Sequence, residues 1–198
     1  MNETPNRLIV DDEADDNVVD LSRRSALISL GVLGTALAFS PSAIAGLALK
    51  PRTVRLYNVH TGDSLKTVYY YRGKYSRQAL RAVNYLMRDF RARRIKRIDP
   101  RLLDLLWLVQ MELDSKERFQ VVSGYRTRRT NRKLREMGVG VAKRSYHTRG
   151  RAVDLRLPGR DLSALKKVAQ DLKRGGVGYY PKSNFVHLDT GRVRSWRV

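Results

Sequence analysis

The sequence contains no cysteine among its 198 residues and only three histidines. The absence of cysteine excludes a thiolate zinc site and a cysteine nucleophile. Acidic residues are also scarce, because 19 aspartates and glutamates stand against 40 lysines and arginines. A metal site would therefore have to use the few imidazoles and carboxylates. The lack of free thiols is compatible with an oxidising compartment, where an unpaired thiol would be a liability.

The N-terminal region carries the parts of a secretory signal. Arg23 and Arg24 form a twin-arginine pair, residues 25–39 form an uncharged core, and Ala43-Ile44-Ala45 is a small-residue cleavage pattern. The core is too short for a comfortable membrane span, although an N-terminal anchor or a buried helix is the alternative. We predict a twin-arginine export signal over residues 1–45 and a periplasmic or otherwise exported protein. An uncleaved signal would tether it to the membrane.

Without residues 1–45 the chain keeps 37 basic and 12 acidic residues. A charge of this size attracts polyanionic partners. Nucleic acid is the usual one, but an exported protein meets acidic peptidoglycan and anionic lipids instead. The sequence has no recognisable nucleic-acid motif, so we expect no nucleic-acid partner.

Residues 46–198 are enough for a single domain with one core. Alternating and helical patterns predict strands over 55–60, 65–72, 119–122, 152–157, 177–180 and 184–189. Helices are predicted from Ser76, from Pro100, over 127–137, and from Asp161 or Ser163. Because helices come first and strands cluster later, we predict an α+β fold with a small, mainly antiparallel sheet and helices packed on one side.

Two short segments hold most of the chemistry-bearing residues. His147 lies seven residues before Asp154, and His187 lies two residues before Asp189. The strand period of two places His187 and Asp189 on one face, and points Asp154 away from its apolar neighbours. Two imidazoles and a carboxylate could hold a zinc ion and leave a fourth position for water. The alternative is a hydrogen-bonded aspartate with two ordinary histidines.

The first of these segments follows the pattern S-x-H-x-x-G-x-A-x-D. Its fixed positions are Ser145, His147, Gly150, Ala152 and Asp154. This pattern resembles the zinc-ligand signature of the D-Ala-D-Ala metallopeptidases, which include VanX-type dipeptidases and D,D-carboxypeptidases and share a fold with the N-terminal domain of hedgehog. The upstream Ser123-Gly124-Tyr125-Arg126 matches that family's S-G-[YF]-R element. Residues 176–181 and 185–191 look like the murein endopeptidase K branch.

The resemblance covers residues 50–198. It implies that the domain of residues 46–198 is a zinc peptidase that hydrolyses amide bonds in peptidoglycan crosslinks. His147, Asp154 and His187 would hold the Zn²⁺. Arg126 would stabilise the oxyanion or grip a substrate carboxylate, since its planar fork suits either role. Peptidoglycan and the twin-arginine export machinery are the partners that this interpretation implies.

The position of the catalytic acid departs from the family pattern. Several members carry an acid three residues before the last histidine, where this chain has Asn184. An amide cannot accept the proton, so Asp189 is our candidate for the general base. The alternative for Asp189 is to orient His187 by a hydrogen bond.

The remaining candidates have structural interpretations. His60 is expected in a hairpin turn, Tyr179 and Tyr180 in core or groove-wall packing, and Ser145 in loop support. Two further classes of function stay open at this point. One is a non-catalytic wall-binding module with a structural or vestigial zinc, and the other is a basic nucleic-acid binder.

Overall fold

The computed structural model describes residues 50–138 and 141–198. The predicted export signal lies outside these ranges and stays a prediction. Within them, no helix is both long enough and apolar enough to span a membrane.

The described residues form one mixed eight-stranded sheet. The strands are β1 (Arg52–Asn58), β2 (Ser64–Tyr71), β3 (Lys74–Tyr75), β4 (Phe119–Ser123), β5 (Ala152–Arg156), β6 (Gly176–Tyr180), β7 (Phe185–Asp189) and β8 (Arg194–Arg197). Their order across the sheet is β3-β2-β1-β4-β5-β7-β6-β8. Neighbouring strands are antiparallel except for β1 with β4 and β6 with β8. The predicted α+β class and mainly antiparallel sheet are therefore confirmed.

Four α-helices accompany the sheet: α1 (Arg77–Leu86), α2 (Pro100–Glu112), α3 (Arg128–Glu136) and α4 (Leu162–Asp171). Ser76 and Asp99 cap α1 and α2 by accepting hydrogen bonds from backbone amides of the first turn, as their positions predicted. Pro100 occupies the first turn of α2, where its missing N–H removes no helical bond. Helix α1 ends at Leu86, earlier than the apolar spacing out to Phe90 indicated.

The hydrophobic core lies between one face of the sheet and helices α1, α2 and α4. Val83, Leu106 and Leu165 contribute from these helices and are fully buried. Helix α3 is different, because its buried residues are the polar Thr130 and Asn131 and it adds nothing to the apolar cluster. It stands apart from the core.

Alternation along β5 and β7 separates the core from the functional face. Val153 and Leu155 on β5 belong to the hydrophobic cluster, as do Val186 and Leu188 on β7. Because successive side chains of a strand point to opposite faces, the residues between them point away from the core. Asp154 and His187 therefore lie on the face of the sheet that is opposite to the core.

Candidate metal centre

Three predicted ligands come from three neighbouring elements. His147 lies in a short 3-10 helix, Tyr146–Arg149, while Asp154 and His187 lie on β5 and β7. Asp154 and His187 are direct partners across the antiparallel ladder. The 3-10 helix precedes β5 closely enough to bring His147 over the same face. All three side chains are buried.

The three ligand atoms converge on one point. His147 Nε2 lies 3.2 Å from Asp154 Oδ1 and 3.1 Å from His187 Nδ1. His187 Nδ1 lies 2.8 Å from Asp154 Oδ1. These atoms form a group with the spacing that a shared metal ion requires.

The other ring nitrogens fix the tautomers of the two histidines. His147 Nδ1 lies 2.7 Å from the carbonyl oxygen of Gly124, which can only accept a hydrogen bond. His187 Nε2 lies 3.0 Å from Asp189 Oδ2. Each of these nitrogens therefore carries the proton, and the facing nitrogens of the neutral rings present lone pairs. Outer partners of this kind are typical of metal-bound histidines.

A bound cation would satisfy this arrangement. Two lone pairs and a carboxylate oxygen face one another at about hydrogen-bond distance, and in the neutral tautomers no hydrogen stands between them. Two imidazoles and one carboxylate are borderline nitrogen and oxygen donors, a set that suits Zn²⁺ in a site with an open fourth position. The residues present therefore fit the zinc ion implied by the sequence.

The local sequence explains how His147 is held. Ser145 precedes the 3-10 helix and its Oγ accepts a hydrogen bond from the His147 amide at 3.3 Å. Gly150 ends this helix with a φ of 67°, in the left-handed region that favours glycine. A Cβ at Gly150 would lie 2.3 Å from the carbonyl oxygen of Arg97. The turn therefore accepts no side chain at that position.

Electrostatics within the cluster hold the carboxylate ionised. Burial opposes ionisation of Asp154, but the two histidines outweigh it and lower its pKa well below the usual value. Burial lowers the pKa of His147. For His187 burial also favours the neutral ring, but hydrogen bonds to Asp154 and Asp189 prevail and raise its pKa. The pKa values of the two imidazoles are thus shifted in opposite directions.

Asp189 lies behind His187, away from the cluster. Its side chain is completely buried, and its Oδ1 accepts from the backbone amides of Gly176 and Gly191 at 3.1 and 2.8 Å. Its Oδ2 accepts from His187 Nε2 at 3.0 Å and from Arg194 Nη2 at 2.6 Å. With both oxygens occupied, this geometry favours the positioning role over the proton-acceptor role. Asp189 as general base stays a prediction.

A pocket of about 540 Å³ opens in front of the cluster. His147, Asp154 and His187 lie on its wall together with Arg126. Among the described residues, Asp154 is the one carboxylate that lines it. The pocket gives a substrate access to the ligand atoms.

Arg126 is a buried cation on this wall. Among the residues that the structure describes, its side chain makes a single hydrogen bond, a long one of 3.5 Å from Nη2 to Ser145 Oγ. Burial lowers the pKa of Arg126, and the nearby charge of Asp154 offsets part of the effect. A planar guanidinium with donors to spare can bind a carboxylate or an oxyanion.

Aromatic residues form another wall of the pocket. Trp196 on β8 donates from Nε1 to the Tyr180 hydroxyl oxygen at 3.0 Å, and no described residue accepts from the Tyr180 O–H. The Trp196 ring also lies against His187, with centroids 5.2 Å apart. A Cβ at Gly178 would lie 2.6 Å from the indole, so glycine makes room for it.

The same chain matches a known family over most of its length. A family model described as peptidoglycan L,D-endopeptidase MepK matches residues 46–196. The chain belongs to this family. The resemblance to the murein endopeptidase K branch of the D-Ala-D-Ala metallopeptidases is thereby confirmed.

The alignments with individual MepK relatives extend over nearly the whole length of those proteins. The peptidoglycan L,D-endopeptidase MepK of Escherichia coli (strain K12) is 44% identical over 178 residues, which are 89% of this chain and 98% of that protein. The probable peptidoglycan L,D-endopeptidase MepK of Haemophilus influenzae is 38% identical over 184 residues, 91% of this chain and 98% of that protein. The Serratia marcescens L-Ala D-Glu endopeptidase ChiX shares 21% identity, with a TM-score of 0.31 over 39% of this chain and 62% of its own.

In this MepK-family chain, the predicted ligands and Arg126 meet at one pocket and His60 does not. His60 Nε2 bonds the carbonyl oxygen of Val122 at 3.0 Å, and its ring stacks on Phe90 at 4.6 Å. It lies in the turn after β1, where the sequence placed it.

Asn184 has a structural explanation in this chain. It lies in the turn between β6 and β7 with a φ of 52°, a left-handed conformation that asparagine tolerates better than most residues. Its side chain is exposed and does not line the pocket. The residue at this position therefore serves the turn.

Two residues of the site escaped sequence reasoning. Arg194 and Trp196 come from β8, a strand that the alternation did not predict. Arg194 and Arg197 flank Ser195 and Trp196 there, so the segment shows no apolar period. Parallel pairing of β8 with β6, which is not sequential, brings both side chains to the metal centre.

Proposed function

We propose that this protein is an exported zinc-dependent endopeptidase that hydrolyses L,D crosslinks between peptidoglycan stem peptides. The observation that carries the proposal is the convergence of two imidazole lone pairs and a carboxylate at a pocket. Membership of a family named for peptidoglycan L,D-endopeptidases supports the substrate class.

The chain's own residues would divide the work as follows. His147, Asp154 and His187 hold the zinc, which when bound supplies a Lewis acid that polarises the scissile carbonyl and acidifies water. Arg126 donates to the charge that develops on the carbonyl oxygen or anchors a substrate carboxylate. The Tyr180 O–H is a further donor on the pocket wall. Asp189 keeps His187 in the tautomer and orientation that coordination needs.

One observation favours a second candidate function. In the described part of the chain, the pocket wall holds no carboxylate besides the ligand Asp154. A zinc-containing module that binds the cell wall without cleaving it needs no proton acceptor. This alternative makes the same prediction for zinc and the opposite one for cleavage.

The test compares the full chain with two histidine variants. We expect the wild-type protein to bind about one zinc per chain and to cleave purified muropeptides joined by L,D crosslinks, leaving D,D crosslinks intact. His147→Ala should lose both zinc and cleavage, because it removes one of three ligands. His60→Ala is the matched control and should keep both, since His60 lies outside the pocket.

The outcomes separate the two candidates. Zinc bound without cleavage of either crosslink would replace the endopeptidase with the wall-binding module. Cleavage that survives His147→Ala at full rate would exclude a role for this cluster.

Export is a separate part of the proposal and rests on the sequence. Replacing Arg23 and Arg24 with lysine keeps the charge but removes the arginine pair that the twin-arginine machinery reads. We expect the variant to stay in the cytoplasm when cells are fractionated, while the wild type reaches the periplasm. Normal export of the variant would assign the signal to another route.

A further inference from the structure

A second depression lies beside the metal pocket and is lined mainly by cations. It encloses about 870 Å³ between α3, the loop after it and the 3-10 helix. Its charged lining residues are Lys96, Arg128, Arg132, Arg135, Lys143, Arg144 and Arg149. We call this depression the basic groove. No carboxylate of the described ranges lines it.

The basic groove adjoins the metal pocket. Arg144 and Arg149 line both depressions. Asn131 on α3 donates from Nδ2 to the carbonyl oxygen of Ala142 at 3.1 Å, which ties the loop carrying Lys143 and Arg144 to the helix. This hydrogen bond joins α3, which lines the groove, to the segment of Ala142 and Arg144, which lines the metal pocket.

The basic groove concentrates cations that have no carboxylate partner among the described residues. Some cations elsewhere are paired, as in Arg52 with Asp104 and Arg88 with Asp63. None of the seven groove cations forms an ion pair within the described ranges. Residues 126–151 contain ten basic residues and one acidic residue, Glu136. Glu136 does not line the groove.

The stability of α3 does not account for this charge. Arg128, Arg132 and Arg135 follow a helical spacing of four and three residues and so share one face. Like charges at this spacing repel each other, and Arg128 lies in the first turn, where the helix dipole disfavours a cation. The helix also adds nothing to the apolar core. The dipole favours Arg135 in the last turn, but a polyanionic ligand would relieve the repulsion along the whole face.

We propose that the basic groove binds the stem-peptide carboxylates of the peptidoglycan strand whose crosslink reaches the metal centre. This inference rests on the proposed function. A concave groove that shares Arg144 and Arg149 with the pocket suits an extended acidic chain better than a flat membrane surface. The groove would hold the insoluble polymer, and the pocket would select the bond.

The experiment uses two triple variants of the full chain with equal loss of charge. Arg128→Gln, Arg132→Gln and Arg135→Gln together form the groove variant. Arg77→Gln, Arg81→Gln and Arg174→Gln form the control, because these arginines are exposed and lie outside both depressions. Binding to purified sacculi is measured by co-sedimentation in the His147→Ala background, so that the polymer stays intact.

We expect the dissociation constant for sacculi to rise about tenfold in the groove variant and less than about twofold in the control. Amidation of the sacculus carboxylates should weaken wild-type binding to the level of the groove variant. With His147 restored, the groove variant should lose kcat/KM on sacculi by a similar factor. Its kcat/KM on a soluble crosslinked dimer, too short to fill the groove, should stay within about twofold.

Three results would overturn the inference. Equal sacculus binding by the two triple variants would leave the groove without a role. Insensitivity of wild-type binding to amidation would exclude carboxylates as the ligand. Loss of binding to phosphatidylglycerol vesicles by the groove variant, with sacculus binding unchanged, would assign the groove to a lipid surface. Absence of hydrolysis would refute the proposed function alone, because the binding measurements need no catalysis.

Discussion

The Asp189 side chain accepts more hydrogen bonds than the side chain of His187, the histidine that it orients, takes part in. Its two oxygens accept from two backbone amides, from both terminal nitrogens of Arg194, and from His187. Burial opposes its ionisation, but the bonds from His187 and Arg194 outweigh it and lower its pKa well below the usual range. A carboxylate held this firmly as an anion is a weak proton acceptor and a strong orienting group.

Asp189→Asn tests this assignment because asparagine has nearly the same shape but no charge. If Asp189 orients His187, the zinc dissociation constant should rise about 10- to 100-fold. The value of kcat at saturating zinc should then fall less than about tenfold. Zinc affinity by competition with a chelator and kcat on crosslinked muropeptides are the two measurements. Unchanged zinc affinity with abolished kcat would make Asp189 the proton acceptor.

At the residue scale, the sequence could name the three residues that the structure brings together, because strand alternation and motif spacing are local. Asp154 and His187 could be placed on one face from their own strands. The choice between two roles for Asp189 could not be made, since its partners Gly176 and Arg194 come from other elements. The role of Asn184 was hidden for a similar reason, because its left-handed φ is a property of the folded turn.

At the scale of elements, the 3-10 helix depends on the glycine that ends it. Gly150 donates to the carbonyl oxygen of His147 at 3.2 Å, and its own carbonyl accepts from Asp99 at the start of α2. The turn that aims His147 is thereby docked against the helix layer. Its geometry leaves no space for a side chain at residue 150.

Gly150→Ala should destabilise the protein by about 2–4 kcal/mol, since it adds left-handed strain to a backbone clash. Gly159→Ala is a matched control with a φ of 71° and no atom within 4 Å of the added Cβ. The control should cost only the conformational strain, about 1 kcal/mol. Urea unfolding of both variants gives the difference. Equal losses of unfolding free energy in the two variants would show that the backbone at Arg97 moves to accommodate the added methyl group.

Element prediction was good where one segment carries its own signal. The capped helices and the hairpin of β1 and β2 were predicted because caps and alternation are local. β3 was not, since it has only two residues. The parallel pairings of β1 with β4 and β6 with β8 were missed because no local pattern encodes a partner distant in sequence.

At the scale of the whole molecule, the three ligands should link metal binding to folding. An ion that binds only the folded chain stabilises it by about 2.7 kcal/mol at a free concentration of 100 times its dissociation constant. Chelation should remove this increment, as measured by urea unfolding with and without zinc. His147→Ala should be insensitive to zinc. An equal response in that variant would locate the stabilising ion elsewhere.

The increment should also depend on pH with a defined sign. Coordination requires the unprotonated Nδ1 of His187, whose pKa is raised above the ordinary 6.5. A raised pKa means that the proton competes with zinc at higher pH than for a free imidazole. Stabilisation by zinc should therefore be full in weakly alkaline solution and decline as the pH falls through the raised pKa.

The pairing of Asp154 with His187 sets how the centre responds when metal is removed. Both strands are interior to the sheet, with β4 and β6 on their outer sides. The distance between these two residues is then set by the pairing of β5 with β7. It cannot widen unless these two strands separate. Opening of interior strands requires nearly complete unfolding. The metal-free protein should thus retain the shape of its site, and rebinding needs little reorganisation of the backbone.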